Sequence, residues 1–237
     1  MNTRTRRALA FLIVGASLLS LVACNDRGSS AAADRRYIAE LRAGLENIDR
    51  AAPYHRHLED LLPNRRYQIG AEKEFVLSER VVVGEFVGGA PGKGFRGTGA
   101  TLGFHDKSAA WRTMHLKFRV DEDLAGDGPN PVTVGLGVDT DWERARDGMM
   151  SLGRSVLFLS PSPVYAYDPS LLAIVEDGAM IATIDSDSRL ALPLIREERA
   201  SQLLERTSTV AELRAEAHHP ARTVPLERFE GHARPVS

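Results

Sequence analysis

Met114-His115-Leu116-Lys117-Phe118-Arg119-Val120 is the stretch that decides the fold class: Met114, Leu116, Phe118 and Val120 alternate with His115, Lys117 and Arg119. A period of two belongs to a half-buried strand, because successive side chains leave an extended chain on opposite faces. One face is apolar enough to meet a core; the other is a basic stripe. Val132, Val134, Leu136 and Val138 repeat the pattern against Thr133, Gly135 and Gly137, which predicts a neighbouring strand. Between the two, Asp121 to Pro131 is acidic and rich in Gly and Pro, and reads as a loop.

Upstream, Val81-Val82-Val83-Gly84-Glu85-Phe86-Val87 is β-branched and aromatic, as strands are. The glycine-rich run from Gly88 to Gly103 reads as a loop behind it. Downstream, Asp139 or Thr140 is placed to cap a short helix through about Met149. Ser155-Val156-Leu157-Phe158-Leu159 is apolar on both faces, which predicts a central strand closed by Pro161 and Pro163. Tyr165 and Tyr167 suggest a short edge segment. Leu172 to Glu176 and Ala179 to Ile184 flank Asp177-Gly178, a hairpin pattern, and Asp185-Ser186-Asp187-Ser188 forms a further turn before Arg189 to Leu192.

Helical periodicity is confined to the two ends. Ile38, Leu41, Leu45 and Ile48 recur at helix spacing between a capping Asp34 and Pro53, predicting a helix over Arg35–Asp49. Tyr54 to Arg66 reads as a helical turn. Past Pro193, Glu197 to Arg206 is a second helical segment, and Thr209 with Glu212 three residues on is a capping box for a third through Ala217. The boundaries that follow are an export signal over 1–23, a small polar tether over 24–33, a helical segment over 34–66, a β-rich core over 67–195, helices over 196–219 and a loose tail over 220–237. The expected fold is mainly β with added helices: a small antiparallel barrel or sandwich flanked by N- and C-terminal helices.

The first residues carry an address. Arg4, Arg6 and Arg7 precede an apolar run from Ala8, broken by Gly15, Ser17 and Ser20, which ends in Leu21-Val22-Ala23-Cys24 before a polar sequel. A basic head and a short apolar centre are the grammar of a removable signal, and the run is too interrupted for a lasting bilayer span. The box resembles that of bacterial lipoprotein precursors. The resemblance implies cleavage between Ala23 and Cys24, a diacylglycerol on the Cys24 sulfur, and a domain held on the extracytoplasmic face of the cell membrane. Asn25 after the Cys weakly permits outer-membrane delivery where two membranes exist. Thr5-Arg6-Arg7 partly resembles a twin-arginine signal, which leaves the export route open between folded and unfolded translocation.

Residues 114–159 also resemble, faintly, the netrin and metalloproteinase-inhibitor-like group of OB-type barrels. The resemblance lies in a strand running into Val120-Asp121-Glu122-Asp123-Leu124-Ala125-Gly126, a second strand at Val132-Thr133-Val134, and Leu152-Gly153-Arg154-Ser155-Val156-Leu157-Phe158. That group's cysteines are absent, and Ala125 stands where it favours Lys. The resemblance implies a fold and nothing further.

Composition narrows the chemistry. Loss of residues 1–23 removes three Arg and no acid, so 27 of the 30 basic residues face 32 acidic ones and the formal charge moves from −2 to −5. An acidic domain argues against a nucleic-acid partner. Cys24 is the sole cysteine; once acylated it leaves no disulfide, thiolate metal site or Cys nucleophile.

The motifs are weak. Gly92-Lys93-Gly94-Phe95-Arg96-Gly97 spells a dinucleotide fingerprint, yet Thr98 to Gly103 is a poor helix and the fingerprint needs a helix N-terminus for the pyrophosphate. Asp121, Asp123 and Asp127, with Gly126 between, partly imitate a calcium loop, but Ala125 holds a ligand position and Val132 replaces the bidentate Glu. They are weak metal candidates, read first as turn residues, as are Asp139-Thr140-Asp141 and Asp185-Ser186-Asp187. His55, His57, His218 and His219 lack a third ligand at fixed spacing and read as solvated. No nucleophile elbow or Ser-x-x-Lys pair occurs after Cys24, so no catalytic residue is assigned. The stripe His115, Lys117, Arg119 reads first as the solvated face of a sheet and second as a face for an anionic ligand.

The sequence therefore points to a lipid-anchored extracytoplasmic protein with a non-enzymatic binding or structural role and no cofactor. Its partners would be the membrane, through Cys24, and an envelope protein or cell-wall component. An envelope hydrolase with a dispersed site is the alternative, and a carrier with a closed cavity a third reading.

Overall fold

The computed structural model describes residues 56–69, 71, 74–96, 101–138, 141–159, 179–195, 197–229 and 232–235. Cys24 with its signal, the tether, the helix expected over Arg35–Asp49, His55 and the hairpin arm Leu172–Gly178 lie outside them. The described chain is mainly β, built on a sheet in which the strand at Met114–Val120 is one of the longest.

In chain order, β1 is Arg65–Ile69, β2 Arg80–Phe95, β3 Thr101–Gly103, β4 Trp111–Ala125, β5 Val132–Val138, α1 Trp142–Met150, β6 Ser155–Leu159, β7 Ala179–Ile184, β8 Leu190–Ala191, α2 Glu197–Leu203, α3 Val210–Ala217, β9 Arg222–Phe229 and β10 His232–Pro235. A 3-10 turn at Leu58–Leu61 stands where a helical turn is expected. The large sheet runs β5-β4-β2-β6-β7-β8, with β3 added to β2, and all its pairs are antiparallel. Strands β2, β4 and β5 follow one another, and β6 returns after α1 to lie beside β2. That is a Greek-key order.

Strand β2 is the axis. In Val81-Val82-Val83 consecutive side chains must leave on opposite faces, and all three are fully buried. The sheet therefore needs cover on both sides. Val82, Phe86, Met114, Leu116, Phe118 and Leu157 form one apolar layer, closed by Ala145 and Met149 of α1. Val81, Val83, Val156 and Phe158 form the other, closed by Leu58, Leu61 and Leu62 and by Leu203, Val210 and Leu213 of the C-terminal helices. The central strand expected at Ser155–Leu159 is β6, between β2 and β7, with Val156, Leu157 and Phe158 buried to alternate sides.

The β2–β4 register shifts between Val81 and Val82, Val83 and Gly84, Phe86 and Gly88, and Pro91 and Gly94. Each shift bends and twists the ribbon locally. Curling wraps the pair around the first layer, where Phe86 and Phe118 meet edge to face at 5.0 Å. The curl stops short of closure: β5 and β8 are the ends of the strand path, so the described residues form no closed barrel.

Several expectations are corrected. Gly88 to Phe95 is not loop but the outer half of β2, because its backbone pairs with β4 and leaves Gly where Cβ atoms would collide: at Gly92 one would sit 2.6 Å from Thr113 Oγ1. Strand β4 continues through Asp121 to Ala125, and the loop begins only at Gly126. The α1 cap is Asp141, whose carboxylate accepts from the Arg144 amide at 3.1 Å, rather than Asp139 or Thr140. The tail is not wholly loose: β9 pairs with β1 in parallel and with β10 antiparallel, a three-stranded sheet that the expectation of a purely antiparallel fold did not contain. The Thr209 capping box is present as expected, with Glu212 N–H donating to Thr209 Oγ1 at 3.2 Å and Thr209 N–H to Glu212 Oε2 at 3.0 Å.

At the centre of the hairpin, a Cβ on Gly84 would lie 1.9 Å from the Arg119 carbonyl oxygen and 2.8 Å from a Phe118 ring carbon, whereas one on Gly137 meets open space. Gly84→Ala is expected to cost about 3 kcal/mol or more in urea unfolding, and Gly137→Ala about 0.5 kcal/mol or less.

Candidate ligand-binding face

The second apolar layer covers only part of the outer side of the sheet. Cover ends near α3, where Arg214 grips Glu122 of β4 through two hydrogen bonds of 2.8 and 2.9 Å. Beyond that clasp the side chains of β4 that point away from the α1 layer form a ridge: Arg119, Lys117, His115, Thr113 and Trp111. All except Thr113 are exposed.

The flanks of the ridge are low. On β5 the residues opposite Lys117, His115 and Thr113 are Thr133, Gly135 and Gly137. On β2 the residues opposite Lys117 and His115 are Gly88 and Ala90. Side chains directly opposite on neighbouring strands project to the same face, so the centre of β4 stands above two shallow troughs. Glycine here removes bulk on the side where a ligand would lie.

Chemistry changes along the ridge. At the α3 end Arg119 is engaged, reaching Glu85 at 2.7 Å and Asp121 at 3.5 Å. In the middle, Lys117 has no ion-pair partner among the described residues. At the far end Phe95 stacks on Trp111, centroids 4.1 Å apart and planes 13° from parallel. The Phe ring fixes the indole on one side, yet 45% of Trp111 remains exposed. A large aromatic held in place and left in water is unusual, since burial of such a ring is worth about 2 kcal/mol or more. Lys93 adds an exposed ammonium beside Thr113, whose Oγ1 accepts from the Lys93 amide at 3.2 Å.

The basic stripe was legible from the alternation; the aromatic end was not. Its signal was the odd-numbered parity of His115, Lys117 and Arg119, which extends back through Thr113 to Trp111. Reading Phe95 as loop hid its partner.

The other candidates are dispersed. Asp123 is spent on Arg80, whose Nη1 also donates to the Pro129 carbonyl at 2.9 Å, while Asn130 bonds both the amide and the carbonyl of Val120 at 3.0 and 2.8 Å. These side-chain bonds tie the 126–131 loop to β2 and β4. Asp121 faces Arg119, and Asp127 is exposed. Gly92, Gly94 and Phe95 lie inside β2 and Thr101–Gly103 pairs back on it as β3, so among the described residues no helix N-terminus meets the fingerprint. His218 Nδ1 lies 2.7 Å from the Arg214 carbonyl and His219 Nδ1 3.2 Å from Glu216, at the end of α3. Among the described residues no three of His, Cys, Asp and Glu gather closely enough to hold a metal, and no helix is long and apolar enough to cross a membrane. No family model, no curated protein and no solved structure matches the chain.

The clasp that ends the ridge titrates. Hydrogen bonds from Arg214 hold Glu122 below the ordinary carboxylate range and raise Arg214 in turn. A carboxylate depressed in the folded state contributes stability above its unfolded value and loses it as pH falls through the folded one. Glu122→Gln is therefore expected to lower stability by about 0.5–1 kcal/mol at neutral pH and to converge with wild type in acid. Urea midpoints measured across the acid range check this; a constant offset at all pH values contradicts it.

Proposed function

We propose that the protein is a lipid-anchored binding protein of the extracytoplasmic cell envelope, and that its domain is an open OB-type barrel presenting the β4 ridge. The barrel reading is supported by the Greek-key order β6-β2-β4-β5, with α1 between β5 and β6 and β7 as a fifth strand. OB-type barrels are small, partly open Greek-key barrels that use the face of their second and third strands for ligands. Here those strands are β4 and β5.

The observation that carries a binding role is one juxtaposition: an indole held by Phe95 and the ammonium of Lys117, which has no ion-pair partner among the described residues, share a ridge flanked by Gly88 and Gly137. A merely solvated face would not hold an aromatic in place without burying it. The location rests on Leu21-Val22-Ala23-Cys24. Two acyl chains suffice for stable attachment where one gives only marginal binding, and the polar residues 24–33 would set the domain off the bilayer on a flexible lead.

Replacing Cys24 by Ser tests the anchor. The variant is expected to leave the membrane fraction and to keep its unprocessed mass; a variant that still fractionates with membranes at the processed size overturns it.

A further inference from the structure

We propose that the ridge takes an acidic glycan, a carbohydrate chain laid along β4 with a sugar ring on Trp111 and a carboxylate at Lys117. The inference deepens the binding role above and is independent of the lipid anchor.

Dimensions come first. From Trp111 to Lys117 a strand rises about 20 Å, the length of several sugar rings, so the site suits a polymer rather than a single small molecule. The troughs over Gly88 and Gly137 are open, since a Cβ at either position would meet nothing within 4 Å. Thr113, between Trp111 and His115, is buried, so a chain would touch the ridge at Trp111, His115 and Lys117 and pass over Thr113.

Chemistry comes next. The flat C–H face of a sugar ring is apolar, and a fixed indole offers it a surface already ordered before binding. Phe95 occupies one side of that indole, which makes Trp111 a platform rather than a blade between two rings. Lys117 and Lys93 supply the charge, with His115 between Trp111 and Lys117 as a further hydrogen-bonding group.

Charge density separates the glycan from a nucleic acid. A single strand brings one phosphate per about 3.4 Å, hence roughly six over this length. The ridge meets them with Lys117 and Lys93, then presents Glu85 and Asp121 at its α3 end, where Arg119 is already engaged. A polymer of sparse carboxylates separated by apolar ring faces matches the alternation of free cation and aromatic; a continuous phosphate track does not.

The test titrates the detergent-solubilised full chain with hyaluronan oligomers and with unsulfated chondroitin oligomers, in both of which carboxylates fall on alternate rings, following tryptophan emission and heat. Saturable binding to at least one is expected, weakened about tenfold or more by Trp111→Ala and by Lys117→Glu, and recovered in part by Trp111→Phe. A galactan oligomer without carboxylates should bind about tenfold more weakly, and Arg206→Glu, an exposed change elsewhere, should leave binding unaltered. Circular dichroism and thermal melting confirm that each variant is folded. Three results overturn the proposal: no binding to either acidic glycan, tighter binding to oligothymidylate, or undiminished binding by folded Trp111→Ala and Lys117→Glu. Each is read separately from the Cys24 fractionation, so loss of the glycan does not touch the anchor.

Discussion

Three consecutive valines in an extended chain cannot share one face, and the burial of Val81, Val82 and Val83 forces the sheet to be covered on both sides. Most of the fold answers that demand. Helix α1 closes one layer with Ala145 and Met149; the 3-10 turn, α2 and α3 close the other with Leu58, Leu203 and Leu213. Strand β6 fits between β2 and β7 because it too is apolar on both sides. Past Phe86 the constraint relaxes: β2 becomes Gly- and Pro-rich, and on the side of its partner β4 away from α1, Trp111, His115, Lys117 and Arg119 are exposed while Thr113 is buried.

That change from doubly to singly covered sheet positions the candidate site. A face that no described helix covers must keep its own polar groups satisfied or solvated, and the ridge does both in sequence. Near α3 the charges are paired: Arg214 with Glu122 and Arg119 with Glu85. Surface pairs of this kind contribute about 1 kcal/mol or less each, so they do more to orient side chains than to hold the fold. Farther out, Lys117 has no ion-pair partner among the described residues and Trp111 is braced by Phe95. The doubly covered core lies at one end of the hairpin and the exposed Trp111 and Lys117 at the other.

What the sequence disclosed follows from how local each signal is. The alternation in Met114–Val120, the doubly apolar Ser155–Leu159 and the Thr209 box are decided by neighbours a few residues apart, and each appears in the structure. Gly88–Phe95 escaped because glycine is a poor predictor of strand, yet here it is required by the close approach of Thr113 to Gly92 and of Ala109 and the Gly103 carbonyl to Gly94. Strands β1 and β9 escaped for another reason: Arg65-Arg66-Tyr67-Gln68-Ile69 carries no apolar alternation, and its pairing partner begins at Arg222, far along the chain. Asn64 helps join the two, its side-chain amide donating to the Glu216 and His219 carbonyls at 2.7 and 2.9 Å. The basic half of the ridge was readable as a stripe, but its aromatic half depends on Phe95 meeting Trp111 across a connection, and spacing along the chain does not reveal it.

Amide hydrogen exchange under native conditions tests the central claim most directly, because it reports how firmly each segment is held. The account predicts that the amides of Val81–Val83 and Val156–Phe158, buried between two layers, exchange only through global unfolding, while those of Gly88–Phe95, covered on one side, exchange through cheaper local opening. If Gly88–Phe95 proves as protected as Val81–Val83, or if Val156–Phe158 exchanges as freely as β9, the doubly covered hairpin is not the framework of this fold.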